Sequence, residues 1–183
     1  MNNIQKNELD DIAIPIMKRV SLEAQGVWDN PNSLYYIYRH MQIDKRGSFG
    51  ERFFEHALLT AFPRRIVIEY KDGDQGEWDL KINGFKFEIK TSSLDTHNKF
   101  QNEGLHKDGD YYGVLFLCVT PNKLYFKFVK RENIPFDTLH DRQKAGTGSG
   151  YKWDHKLSTV DELNTIDELR EKFNQTFPEV FRR

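Results

Sequence analysis

The sequence predicts an α/β domain with a mixed sheet of about five strands flanked by helices. Three observations carry this reading. The pair Asn83-Gly84 separates two short runs of alternating apolar and polar residues, as in a tight β-hairpin. Residues 111–120 (YYGVLFLCVT) form a continuous apolar run of strand length, the mark of a strand covered on both faces. Segments with helical apolar spacing lie before and after, so the order reads helix, strand, hairpin, apolar strand, strand, helix.

The chain of 183 residues is long enough for one sizeable core and short of two ordinary domains, so a single domain over 1–183 is expected. Aromatic residues at 14% and charged residues at 30% describe a soluble globular protein with a well-packed centre. The formal net charge of −1 excludes binding to nucleic acid through a global basic field. Acidic metal ligands would offset positive residues elsewhere, so a metal site relaxes that exclusion. The one cysteine, Cys118, lies in an apolar run and reads as core; no disulfide can form within the chain. The start, MNNIQKNELDD, has neither a basic nor an apolar signal region, and no apolar run approaches the ~20 residues of a membrane span. A cytoplasmic protein without membrane contact is expected.

Residues 1–46 are expected to form an N-terminal helical part. An apolar cluster of Ile12, Ile14, Ile16, Met17 and Val20, broken by Pro15, predicts one or two short helices before residue 26. After a loop at 29–33 a helix is expected over 34–43, with Arg39, His40, Lys45 and Arg46 making its end basic. Gly47-Ser48-Phe49-Gly50 then leads into ERFFEHALLTAF, whose Phe54, Ala57, Leu58 and Ala61 have helical spacing and which Pro63 closes. Glu51 falls on the apolar stripe of this helix, where a favourable interaction with the helix dipole accounts for it. Residues 64–69 (RRIVIE) read as a strand and 71–74 as a polar turn.

Residues 76–93 hold the candidate chemistry. With Asn83 and Gly84 as the loop, Ile82 opposes Phe85, Lys81 opposes Lys86, Leu80 opposes Phe87, Asp79 opposes Glu88, Trp78 opposes Ile89 and Glu77 opposes Lys90. Trp78, Leu80, Ile82, Phe85, Phe87 and Ile89 then share a buried face, and the other face is wholly charged. A merely solvated face would set opposite charges across from each other, yet Asp79 meets Glu88 and Lys81 meets Lys86, each unfavourable by roughly 0.2–1 kcal/mol. Two carboxylates so placed are explained by a divalent cation between them, and hard oxygen ligands suit Mg²⁺ or Mn²⁺. Lys90, two residues beyond Glu88 on the same face, reaches the same substrate atom.

Thr91-Ser92-Ser93 ends the hairpin with hydroxyls that can bind phosphate or cap the next segment. The polar segment 95–105 is expected to include a short helix. Residues 124–130 (LYFKFVK) alternate as a partner to the apolar strand, joined to it by a turn at Pro121-Asn122. The loop 139–157 has glycines at 146, 148 and 150, the cations Arg142, Lys144, Lys152 and Lys156, and the aromatics Tyr151 and Trp153. Flexible backbone, phosphate-neutralising charge and stacking rings make it a candidate DNA-contacting loop; the other reading is a surface loop with Trp153 tucked into the core. An amphipathic C-terminal helix is expected over 158–183, capped by Ser158 or Thr159, with Val160, Leu163, Ile166, Leu169 and Phe173 on one side.

Asp79 on one strand followed by Glu88-Ile89-Lys90 on the next resembles the PD-(D/E)xK nucleases, the restriction-endonuclease-like superfamily, and most of all its type II restriction enzymes. Trp78 stands where the pattern has proline. The resemblance covers 47–134 as a restriction-endonuclease-like catalytic core and implies a Mg²⁺-dependent endonuclease of double-stranded DNA, with Mn²⁺ able to substitute. It implies that Asp79, Glu88, the Ile89 carbonyl and Glu51 hold metal, that Lys90 serves the reacting water, and that Gln101 assists beside the site. Ser92, Ser93 and the cations and aromatics of 139–157 would contact DNA. A palindromic target would imply a homodimer, and a restriction role a cognate DNA methyltransferase in the host. The alternatives are a structure-selective or repair nuclease with the same catalytic face, or a non-catalytic DNA-binding or assembly protein. Zinc spacing, a nucleophile elbow, a dinucleotide fingerprint and a Walker loop are all absent from the sequence.

Overall fold

The computed structural model describes residues 28–70 and 78–182. The helices expected before residue 26, the turn at 71–74 and the Glu77–Lys90 pairing lie outside them. In chain order the elements are α1 (Tyr36–His40), α2 (Ile43–Ala61), β1 (Ile68–Tyr70), β2 (Leu80–Ile82), β3 (Phe85–Ser93), β4 (Lys99–Leu105), β5 (Gly113–Val119), β6 (Leu124–Lys130), β7 (His140–Asp141), β8 (Tyr151–Lys156), β9 (Asp161–Glu162) and α3 (Ile166–Thr176). Six strands make one mixed sheet in the order β1-β2-β3-β5-β6-β9, with β3 parallel to β5 and the other pairs antiparallel. A second, antiparallel sheet has the order β4-β8-β7.

Strand β5 lies inside the large sheet, and every residue of it is buried. Its alternate residues explain why. Leu115, Leu117 and Val119 join the core under the helices, together with Phe54 and Leu58 of α2 and Leu169 and Phe173 of α3. Val114, Phe116 and Cys118 join a separate core with Phe100 and Leu105 of β4, against which Tyr151 and Trp153 of β8 pack. The mixed sheet flanked by helices is therefore present, with the helices on one face and the small sheet on the other.

The hairpin follows the expected register at Leu80–Phe87, Lys81–Lys86 and Ile82–Phe85, with Asn83 and Gly84 at φ 49° and 89°. Asn83 also ties the turn to its surroundings. Its side chain accepts from the Val67 N–H and donates to the carbonyls of Arg65 and Val180.

Several expected boundaries move. Helix α2 begins at Ile43 and passes through Gly47 and Gly50, because Gly50 serves close packing within a helix and does not end one. A Cβ at Gly50 would lie 1.7 Å from Thr91 Oγ1, so a glycine is what lets α2 press onto β3. Helix α1 ends at His40, and β1 starts at Ile68 because a turn, with Arg64 at φ 62°, precedes it. The short helix expected within 95–105 is a turn followed by β4. The stretch 139–157 is a strand pair whose connecting loop is confined to 142–150, since β8 finds backbone partners in both β4 and β7. Helix α3 starts at Ile166, eight positions into the expected helix, because Thr165 and Glu168 form a reciprocal capping box there. No described helix is long and apolar enough to cross a membrane.

Two expected outcomes concern stability. Replacing Gly50 by alanine forces α2 and β3 apart and lowers unfolding free energy by about 1–3 kcal/mol, measured by urea denaturation. His155 of β8 is buried against Phe116 and Trp153, and its Nε2 has no hydrogen-bond partner among the described residues. Burial, helped by the Lys127 charge, pushes its pKa from 6.5 down to about 3. The unfolded chain takes up this proton first, so the stability contributed by neutral His155 is full above pH 6.5 and is lost as pH falls toward 3. Relative to His155→Phe, the protein loses up to about 1.4 kcal/mol per pH unit across that window, read from denaturation curves at several pH values.

Candidate active site

The site forms where β2 leaves β3. The ladder between them ends at Leu80, and the next residue back departs from it: the Asp79 N–H donates to the Phe87 carbonyl at 2.8 Å. The Asp79 side chain then replaces the missing strand, its Oδ2 accepting the Ile89 N–H at 2.6 Å. Asp79 is thereby fixed against β3 by a charge-assisted hydrogen bond. This is not the side-by-side Asp79–Glu88 pairing that an unbroken hairpin would make. Trp78 leaves with the chain and packs against the core under the small sheet, whereas Leu80, Ile82, Phe87 and Ile89 lie in the helix-side core, with Phe85 against it.

Glu88 and Lys90 share the face of β3 that looks toward the small sheet, and they pair at 2.5 Å with side chains 12% and 19% exposed. Burial pushes the Glu88 carboxyl from 4.5 up to about 7; the Lys90 charge opposes the rise, and the Asp79 and Glu51 charges add to it. Helix α2 delivers the third carboxylate. Glu51 follows Gly50, the residue that touches β3, and its pKa is raised by burial and then by Asp79. Three carboxylates thus act on one another, with the Lys90 ammonium opposing the shift at Glu88 and the Arg52 charge opposing it at Glu51. The remaining like-charge pair of the hairpin has an ordinary explanation, because Lys81 pairs with Glu69 at 3.0 Å and Lys86 pairs with Asp110.

Other expected residues lie elsewhere. Gln101 is on β4, on the outer face of the small sheet, because its neighbours Phe100 and Asn102 point inward; it joins Asp95 at 2.7 Å and Lys152 at 2.6 Å. Ser92 is buried and has no surface from which to bind phosphate, while Ser93 is half-buried. Tyr151 packs edge-on against Phe136 and Trp153 against Phe116, so the rings fill the second core. Lys152 and Lys144 face Asp154 and Asp141 at 3.6 Å, and Lys156 is exposed. Sequence reasoning missed the interior Asn102, whose Oδ1 has no partner among the described residues, and Gly104, which faces Lys90; the glycine in a polar strand was the available signal.

The oxygen donors of the site are the Glu88, Asp79 and Glu51 carboxylates, whose charges act on one another, with the Ile89 carbonyl on the stretch of β3 beyond the β2 ladder. No group of three or more His, Cys, Asp or Glu among the described residues is arranged so that it could hold a metal ion. The donor chemistry still fits Mg²⁺, which usually takes one or two carboxylates and fills its other positions with water and substrate phosphate.

No protein family matches the chain, and no curated protein does. Among solved structures, a bacterial homing endonuclease, I-Ssp6803I, is similar with a TM-score of 0.44 and 9% identity, over 75% of this chain and 96% of that one. This weak likeness concerns the fold alone.

The raised Glu88 value has a measurable consequence. A folded value above the unfolded one contributes stability that is full below pH 4.5 and is lost as pH rises through about 7. Whatever constant offset comes from leaving Lys90 without its partner, Glu88→Gln gains on the parent protein as pH rises through that window, by up to about 1.4 kcal/mol per pH unit. Paired denaturation curves without metal measure it.

Proposed function

We propose that this chain is a Mg²⁺-dependent endonuclease that hydrolyses phosphodiester bonds in double-stranded DNA, in the manner of a sequence-specific type II restriction enzyme. The observation that carries the reading is the gathering of Glu88, Asp79 and Glu51 beside Lys90, with two of the carboxylates held above their ordinary pKa. A protein with no use for this cluster gains nothing by burying mutually repelling carboxylates. A divalent cation and a phosphate diester are the partners that balance three acids and one ammonium.

Asp79 and Glu88 would hold the ion, with Glu51 and the Ile89 carbonyl completing the protein's share. When bound, Mg²⁺ supplies Lewis-acid stabilisation of charge on the phosphate and eases deprotonation of water. Lys90 keeps its ammonium at the Glu88 carboxylate, where it orients the attacking water and offsets charge that develops on the phosphate. Asp79 is pre-oriented by the Ile89 N–H, so its geometry does not have to be assembled when substrate arrives. Of the cations assigned to DNA, the exposed Lys144 and Lys156 are the ones free to move toward a phosphate backbone. Mn²⁺ shares the preference for oxygen ligands and would substitute.

Supercoiled plasmid and a long linear DNA incubated with the protein in Mg²⁺ test the reading. Discrete fragments are expected, absent with EDTA and reduced at least about a hundredfold by Glu88→Ala. Intact DNA in both Mg²⁺ and Mn²⁺, with folded protein, would overturn it. Cleavage confined to branched substrates would move the function to a structure-selective nuclease.

A further inference from the structure

Strand β4 is interrupted directly above the candidate site. Its register against β8 shifts between Asn102 and Leu105, and within the shift Gly104 adopts φ +71°. A Cβ built on Gly104 would stand 3.6 Å from the Lys90 ammonium nitrogen. Gly104 therefore faces the Lys90 ammonium group, and any side chain there would stand in van der Waals contact with it.

The 142–150 loop is closed onto this bulge. Arg142 donates through Nη1 to the Glu103 carboxylate, on the residue before Gly104, and through Nη2 to the Thr147 carbonyl at 2.5 Å. Its backbone N–H donates to the Gly150 carbonyl at 3.0 Å. The chain wraps the guanidinium so tightly that a Cβ at Gly148 would lie 2.7 Å from Arg142 Cζ. At the loop's far end, a Cβ at Gly150 would be 2.7 Å from the Leu105 carbonyl and 3.1 Å from Gly104 Cα, so backbone presses on backbone at the bulge itself. Arg142 is only 23% exposed, and two of its guanidinium nitrogens are already engaged. It is poorly placed to meet DNA phosphate.

We infer that Arg142 is a positioning residue: through Glu103 it pins the Asn102–Leu105 bulge, and the bulge confines the Lys90 ammonium to Glu88. This rests on the nuclease reading for the purpose of Lys90, while the coupling itself is argued from the Arg142–Glu103 ion pair and the place of Gly104 opposite Lys90. The glycines at 148 and 150 permit the loop to wrap the guanidinium and to touch the bulge.

The test is the motion of the Lys90 ammonium group, measured by ¹⁵N relaxation in the full chain, with the 85% exposed Lys144 as the mobile reference. In the parent protein Lys90 is expected to be far more ordered than Lys144. In Arg142→Ala its order parameter should fall toward that of Lys144. Glu103→Gln, which keeps the side chain's volume and removes only the charge, should act in the same direction and decides the matter if Arg142→Ala does not fold. An unchanged Lys90 order parameter in folded Glu103→Gln and Arg142→Ala would overturn the inference. In cleavage assays, kcat should fall with KM for DNA unchanged, whereas a rise in KM alone would make Arg142 a DNA contact and overturn it. If the parent protein cuts no DNA and yet the two variants release Lys90, the coupling is supported and the nuclease reading is what fails.

Discussion

The hydrogen bond from the Ile89 N–H to the Asp79 carboxylate fixes the geometry on which the candidate site depends. It marks the place where a side chain takes over from a strand. Had β2 continued, Trp78 would have supplied the backbone acceptor for Ile89, and the edge of β3 would have been closed by another chain. Because the ladder stops at Leu80, β2 does not pair with β3 beside Glu88 and Lys90, and the Ile89 N–H there is satisfied by the Asp79 carboxylate. One charged residue thus ends the hairpin, satisfies a backbone donor and is held at the site.

Around this edge the fold brings three layers to bear on one strand. Gly50 allows α2 to touch Thr91, which places Glu51 at the site from the helix side. The small sheet approaches the opposite face and sets its Asn102–Leu105 bulge against Lys90. The parallel partner β5 supports β3 throughout and is itself sealed between two apolar cores. Burial within this enclosure is what raises the Glu88 carboxyl to about 7, against the Lys90 charge and with smaller additions from the Asp79 and Glu51 charges.

The small sheet also changes the meaning of the glycine-rich segment. In sequence it reads as a flexible, basic, aromatic loop suited to wrapping DNA. In the fold its aromatics pack against the second core, its arginine is bound to Glu103, Gly148 lies against that guanidinium and Gly150 lies against the backbone of Gly104 and Leu105. Composition alone does not distinguish a loop that is free to move from one whose glycines exist because another chain lies against it.

The hairpin turn and its register from Leu80 to Phe87, the apolar strand buried on both faces, the core character of Cys118 and the shared face of Glu88 and Lys90 were all legible in the sequence. Each rests on local periodicity or turn chemistry, which neighbouring residues determine by themselves. The start of α3 was also written locally, in the Thr165/Glu168 capping box, but the amphipathic run before it obscured that signal. Tertiary structure alone decided the rest: the departure of β2 at Asp79, the burial of Ser92, the outward face of Gln101, and the contacts of Gly50 and Gly104. These depend on which strands pair across long separations and on how closely two layers approach. No local pattern encodes that distance, because a glycine in the sequence does not say which atom will take the place of its missing side chain.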